Sequence, residues 1–299
     1  FPKTLRSLDV LEVLKNELRN SGVEVKLKTP VKKIEKSEVF KVFTDSEIFE
    51  AKKLIIATGG KSYEVTGSSG DGYSFSKELG LKIVEPRPAL TPCYIKDYSY
   101  TTLAGVSFRN AILELWRDNK KLGTYEGDLL FTHKNLSGPL IIDNSRYIKK
   151  DDKLRINFSG ENLEIFEKNL RNTINNNGNK FVKNIFDNPN FSERFIKVIL
   201  KECEISEETK CNSLKKEQIK RLIEALGNHA YEVSKLEGFN IAMVTAGGVA
   251  LEEINKNTME SKKIKDLYIV GELLDIDGDT GGYNIQGAYS TGALAAESI

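Results

Sequence analysis

The stretch "GELLDIDGDTGGYNIQGAYSTG", residues 271–292, sets four acids and six glycines in front of a run of small side chains. Such a composition can do one kind of chemistry well. A helix amino terminus carries unpaired N–H groups and about half a positive charge, which suits an anionic or electron-rich ligand edge. Glycines let a ligand touch the backbone, and a carboxylate ahead of the turn can hold a polyol hydroxyl. Ala288, Ser290, Gly292, Ala293, Ala295 and Ala296 allow the helix to lie close to a sheet or a flat ring. A flavin makes these demands, being flat, electron-rich at one edge and attached to a ribityl chain. An ordinary capped loop has the same composition. The ligand reading is favoured because a second glycine break, "IIATGG" at residues 55–60, follows an apolar strand-like run.

Other reactive side chains are sparse. His133, in "FTHKNLSGP", is a candidate proton donor over the flavin by residue type, although a hydrogen-bonded structural role is preferred. His229, in "LGNHAYEV", reads as a packing or surface residue in a helical context. Ser137 lacks the G-x-S-x-G form of a hydrolase nucleophile. Cys93 reads as a buried thiol, while Cys203 and Cys211 have no histidine at metal-ligand spacing, so no metal site is expected. Asp71, after "TGSSG", reads as a helix cap. No catalytic residue is nominated.

The elements that must position these residues follow from hydrophobic period. Residues 7–20 predict an amphipathic helix with Leu8, Leu11, Leu14 and Leu18 on one face and Gly22 as its stop. Short β-like runs follow ("VEVKL", "VKKIEK", "VFKVFT", "EIFEA"), ending in the buried-strand form "KKLIIATGG". A helix is expected over Asp71 to Leu79, stopped by Gly80. Three prolines within residues 86–92 mark a boundary. Residues 93–158 then read mostly as β, and residues 161–238 as helical. From residue 239 the α/β grammar returns, with "LYIV" as a strand leading into the glycine-rich loop and the small-residue helix. The expected organisation is 1–87 as one part of a nucleotide-binding domain, 88–160 as a β-rich insertion, 161–238 as a helical subdomain, and 239–299 as the return.

Composition narrows the class. The chain has 299 residues with 39% hydrophobic and 29% charged, enough for a sizeable core. Lys+Arg of 44 against Asp+Glu of 43 gives no electrostatic footprint for nucleic acid. Three cysteines without C-x-x-C spacing point to a reducing, cytoplasmic setting, and no apolar run approaches membrane-span length. No nucleic-acid or membrane partner is expected.

Five segments resemble the BaiN/YhiN-like (aminoacetone oxidase-like) NAD(P)/FAD-dependent oxidoreductases: "FPKTLRSLDVLEVL", "ATGGKSYEVTGSSGDGYSFSKELG", "LLFTHKNLSGP", "VTAGGVALEEINKNTMESK" and "LYIVGELLDIDGDTGGYNIQGAYSTG". They span nearly the whole chain in the family's order. The resemblance implies an α/β chain, α+β overall: a two-dinucleotide-binding-like FAD domain interrupted by a β-barrel-like domain and a small helical one. It implies FAD as cofactor, with Val31 near the adenine and Thr58 and Gly59 beside the dinucleotide. Gly271 and Glu272 match the closing FAD motif, with Asp275 and Asp277 on the loop beyond. Gly281, Gly282, Tyr283, Asn284, Ile285 and Gln286 would offer backbone groups to the pyrimidine edge of the isoalloxazine. NAD(P)H or oxygen would complete the cycle on a small organic substrate.

One departure stands out. The family opens with a G-x-G-x-x-G unit that cradles the pyrophosphate, and that motif is absent from these residues. "GSSGDG" at 67–72 has different spacing. The chain is therefore expected to be a fragment that holds FAD weakly or not at all and purifies colourless. Two rival readings are a tRNA-modifying flavoprotein, which would need a basic face, and a non-catalytic scaffold that keeps the fold without cofactor.

Overall fold

The computed structural model describes residues 2–299, which divide into two compact units at the Leu54–Ile55 junction. In the first unit, helix α1 (Ser7–Asn20) precedes an antiparallel meander of β1 (Val31–Lys36), β2 (Phe40–Thr44) and β3 (Ile48–Ala51). The predicted helix bounds hold, yet no α1 side chain is buried and Leu8, Leu11, Leu14 and Leu18 all stay exposed. The run "VEVKL" forms no strand.

Strand β4 (Leu54–Ile56) crosses the junction, and in the second unit the chain continues into α2 (Asp71–Glu78) and β5 (Ile83–Ala89). Gly80, at φ +87°, ends α2 as the sequence predicts. Asp71 does not cap it. Gly70 occupies the cap position without a side-chain bond, and Asp71 instead puts its charge in the first turn. β5 runs straight through Pro86 and Pro88, where a boundary is expected. A two-stranded sheet tolerates this because a strand without a second neighbour can spare ladder donors.

A closed six-stranded barrel follows, built from β6 (Cys93–Ile95), β7 (Ser107–Arg117), β8 (Lys120–Phe131), β9 (Leu136–Ser137), the short helix α3 (Pro139–Ile142) and β10 (Lys153–Asn157). Helices α4 (Leu163–Asn176), α5 (Glu193–Glu202) and α6 (Lys216–Gly227) come next. Strand β11 (His229–Leu236) then returns to close the barrel between β10 and β6. Residues 229–236 fall in the stretch read as helical, so that reading is corrected there. The alternation of buried Tyr231 and Val233 with exposed Ala230 and Glu232 is the period of a strand. One core joins barrel and helices, centred on Phe108, Phe131, Phe158 and Phe195.

The chain ends with β12 (Val244–Val249), paired antiparallel to β5, then β13 (Leu267–Ile269) and α7 (Tyr283–Glu297). The Val270 N–H donates to the Ile56 carbonyl (3.2 Å), which sets the turn after β13 beside the "ATGG" break. Helix α7 opens at Tyr283, so the second half of the glycine-rich motif is itself helix.

Candidate active site at the start of the last helix

Glycine dictates the entry to α7. Gly281 and Gly282 sit at φ +119° and +94°, conformations that side chains with a Cβ resist. Gly282 is the N-cap and no side chain caps the helix; the Gln286 N–H makes the return bond to the Gly282 carbonyl (3.0 Å). The first-turn amides are thus left to another partner. Tyr283, Ile285 and Tyr289 are 66%, 78% and 68% exposed, and of α7 only Ala295 is buried.

Beside this helix start lies a cleft of about 150 Å³ lined by Gly271, Glu272, Asp277, Gly278, Asn284 and Gly287, among others. That is below the usual size of a small-molecule pocket, with room for no more than the edge of a ligand. A Cβ at Gly282, Gly287 or Gly292 would meet nothing within 4 Å. These glycines are not explained by internal packing; they leave room for something flat against the helix, so the residues present fit a flavin ring edge.

The loop in front is fastened at several points. The Asn284 side chain accepts the Gly278 N–H (2.8 Å) and donates to the Gly278 carbonyl (2.9 Å). Asp143 accepts both the N–H (2.9 Å) and the hydroxyl (3.2 Å) of Thr280. The Asp277 carboxyl is pushed up by burial and drawn back down by Arg146 and Arg87.

Glu272 works inward. Its Oε1 accepts the Thr245 N–H at 2.6 Å, and its carboxylate is bonded to the Gly60 amide as well. Burial raises its pKa, with these two backbone bonds opposing. The Thr245 hydroxyl in turn accepts the Lys61 N–H (2.7 Å). Glu272 therefore ties "ATGG" to "VTAGG" while one side of it lines the cleft.

Of the residues singled out from the sequence, Gly271, Glu272, Asp277, Tyr283, Asn284 and Ala288 line this cleft together. Asp275 sits half-buried at its approach, with its N–H bonded to the Val249 carbonyl (2.9 Å). Gly281, Gly282, Ile285 and Gln286 form the flanking loop and first helical turn. Thr58 and Gly59 follow β4 and are not among the lining residues; Gly59 has φ +72° and open space around it. Val31 is the first, half-buried residue of β1 in the other unit. Asp143 and Arg146 were missed, because they lie more than 130 residues upstream of the loop they hold.

His133 is exposed on the loop before β9. His229 opens a strand, correcting its helical placement, and it packs. Its Nδ1 is 3.3 Å from the Ala225 carbonyl, which can only accept, so Nδ1 carries the proton. Nε2 then accepts from the Tyr100 hydroxyl (3.1 Å), and burial lowers the ring's pKa so that it stays neutral. The three cysteines are buried, and desolvation pushes Cys93 up to about 12 and Cys203 up to about 11, far from a reactive thiolate. Among the described residues, no helix is long and apolar enough to cross a membrane, and no group of three or more His, Cys, Asp or Glu could hold a metal ion.

The model of the HI0933-like protein Rossmann domain matches residues 1–298. The chain is 30% identical to a 3-dehydro-bile acid delta(4,6)-reductase of Clostridium scindens, over 100% of this chain and 74% of that protein. It is 28% identical to a ribosomal RNA dihydrouridine synthase of Haemophilus influenzae (97% and 72% covered) and 29% identical to one of Escherichia coli (97% and 71%). Among solved structures, the bacillithiol disulfide reductase YpdA of Staphylococcus aureus aligns over 98% of this chain and 71% of that one. Its 13% identity and TM-score of 0.30 are too slight to argue from. With the match running nearly end to end and the motifs in order, the chain belongs to the HI0933-like Rossmann family, the FAD-dependent oxidoreductases of the BaiN/YhiN kind.

Proposed function

We propose that this chain is the body of a flavin-dependent reductase in which the start of α7 and the loop 275–282 receive the pyrimidine edge of an FAD isoalloxazine. The observation that carries the proposal is the uncapped helix start, bare of side chains at Gly282 and Gly287 and open to solvent. Val31, Thr58, Gly59 and Asp275 enter the same proposal by resemblance, along the rest of the dinucleotide. When bound, the flavin supplies hydride transfer. The chain supplies orientation and a fixed set of backbone dipoles. NAD(P)H is the proposed electron donor. The proposed substrate is a small molecule with an unsaturated carbonyl system, supported by the name of the Clostridium scindens relative.

A second reading is favoured by the names of the two ribosomal RNA dihydrouridine synthases, which would make the acceptor a uracil ring in RNA. Both readings share the flavin. They separate when FAD-loaded protein oxidises NAD(P)H in the presence of either an enone steroid or a uridine-containing RNA: turnover with the steroid alone supports the first, with the RNA alone the second.

The cofactor itself is tested by Gly287→Ala. With open space around the new methyl, alanine is expected to raise the thermal midpoint slightly, since it favours a helix over glycine by about 0.5–1 kcal/mol. In a fluorescence titration with FAD it is expected to weaken binding by roughly tenfold, because the methyl takes space the ring needs. Equal affinity in the two proteins would remove the ring edge from this cleft. Absence of saturable FAD quenching by the unaltered chain would leave the scaffold reading.

A further inference from the structure

We infer that Arg146, seconded by Asp143, is a positioning residue that fixes the loop 275–280 as one wall of the α7 cleft; its consequence for flavin rests on the function proposed above. A loop with glycines at 278, 281 and 282 and acids at 275, 277 and 279 has little reason of its own to hold one shape. Like charges in alternate positions push it open. Arg146 answers all of this at once, although its own side chain is only 12% exposed. Its Nη2 donates to Asp279 Oδ1 (2.9 Å), its Nη1 donates to the Asp277 carbonyl (3.3 Å), and its Nε lies 3.1 Å from Asp277 Oδ2.

The stretch 277–280 is thus gripped from two different elements. Asn284 holds Gly278 from α7, while Asp143 and Arg146 hold residues 277, 279 and 280 from the segment just after α3. That segment is itself placed by glycine. A Cβ on Gly138 (φ +88°) would meet the Asp128 carbonyl oxygen at 2.6 Å and the Leu130 nitrogen at 2.9 Å, so only glycine lets α3 press onto β8. This explains why "LSGP" and "GDTGGYN" occur in one chain: the first motif aims the residues that hold the second. Arg146 is matched to the task, since a planar fork reaches two carboxylates and a carbonyl from one position, which an ammonium does not.

The Nε–Asp277 pair also carries a sign of tension between packing and pairing. Neither Arg146 Nε nor Asp277 Oδ2 completes a well-directed hydrogen bond, despite their proximity. Their attraction is therefore mainly ionic, acting on the loop as a whole.

The test uses amide hydrogen exchange and FAD titration on the same proteins. Arg146→Ala is expected to speed exchange of the 277–282 amides by about tenfold, with barrel amides unchanged, in the absence of any flavin. Arg146→Lys is expected to fall between, restoring charge without the fork. If Arg146→Ala does not fold, Asp279→Asn, on a 61%-exposed carboxylate, removes the charge from one arm of the contact and is expected to give a smaller speeding of the same amides. Unchanged exchange in the loop overturns the inference whatever flavin does. With flavin, Arg146→Ala is expected to weaken FAD binding by about tenfold and to alter the visible bands of the bound ring. Loosened amides with wild-type affinity and spectrum would overturn the link from loop to ring. Absence of binding by the unaltered chain, with the loop still loosened by Arg146→Ala, would overturn the flavin reading and leave the clamp standing.

Discussion

Gly248→Ala is expected to lower the thermal midpoint by roughly 10 °C and to leave much of the protein aggregated on expression. Gly248 stands in β12 at φ +136°, a region essentially reserved for glycine. A Cβ there would lie 2.5 Å from the Leu273 carbonyl oxygen, 2.8 Å from the Leu274 carbonyl carbon and 2.9 Å from its oxygen. All three are main-chain atoms, so no rotamer change relieves the contact. The strained backbone costs about 1–3 kcal/mol and the overpacking about as much again, a large share of the 5–15 kcal/mol that separates folded from unfolded chains. The turn that would be displaced is 271–274, and the cleft begins at its first residue. A soluble Gly248→Ala protein should therefore also lose the loop order described above. A melting curve matching the unaltered chain's would show that β12 does not press on this turn. Gly287→Ala serves as the opposite case: same substitution, open surroundings, no stability loss.

That contrast marks how far a sequence can be read here. Both glycines were visible in the sequence, and nothing in their spacing says which one is packed against backbone and which faces open space. What was legible is local. The leucine period predicted α1 to the residue and Gly80 stopped α2; the small residues foretold the last helix, but its start lies at Tyr283, inside the glycine-rich motif and not after it. What was illegible depends on partners distant in the chain. β11 hid because its alternation begins directly after α6, where a helical period was already running. β5 hid because proline is a strong local signal for interruption, overridden by an open sheet edge. The Arg146 clamp and the inward role of Glu272 could not be seen at all. Each joins residues far apart in sequence, and a carboxylate beside a glycine turn reads the same whether it faces a ligand or a backbone amide.

Glu272 gives the other large effect, in two parts. Glu272→Ala leaves the N–H groups of Thr245 and Gly60, both buried residues, without their acceptor. Hydrogen bonds to a charged acceptor contribute about 1.5–3 kcal/mol each, so the expected loss is about 3 kcal/mol, read as a lowered urea midpoint with unchanged slope. Glu272→Gln keeps an acceptor and separates geometry from charge. Burial raises the folded-state pKa of Glu272 above its unfolded value of about 4.3. The stability this group contributes is therefore fully present below that unfolded value and is lost as pH rises through the folded one. Glutamine has no such loss. The stability of Glu272→Gln relative to the unaltered chain is thus expected to climb from about pH 4 upward and then level off above the raised pKa. Since the Arg146 and Asp277 contacts are common to both proteins, the difference isolates this one carboxyl. A flat or falling difference would mean that the two backbone bonds outweigh desolvation, and that Glu272 is held as a settled anion in the wall of the cleft.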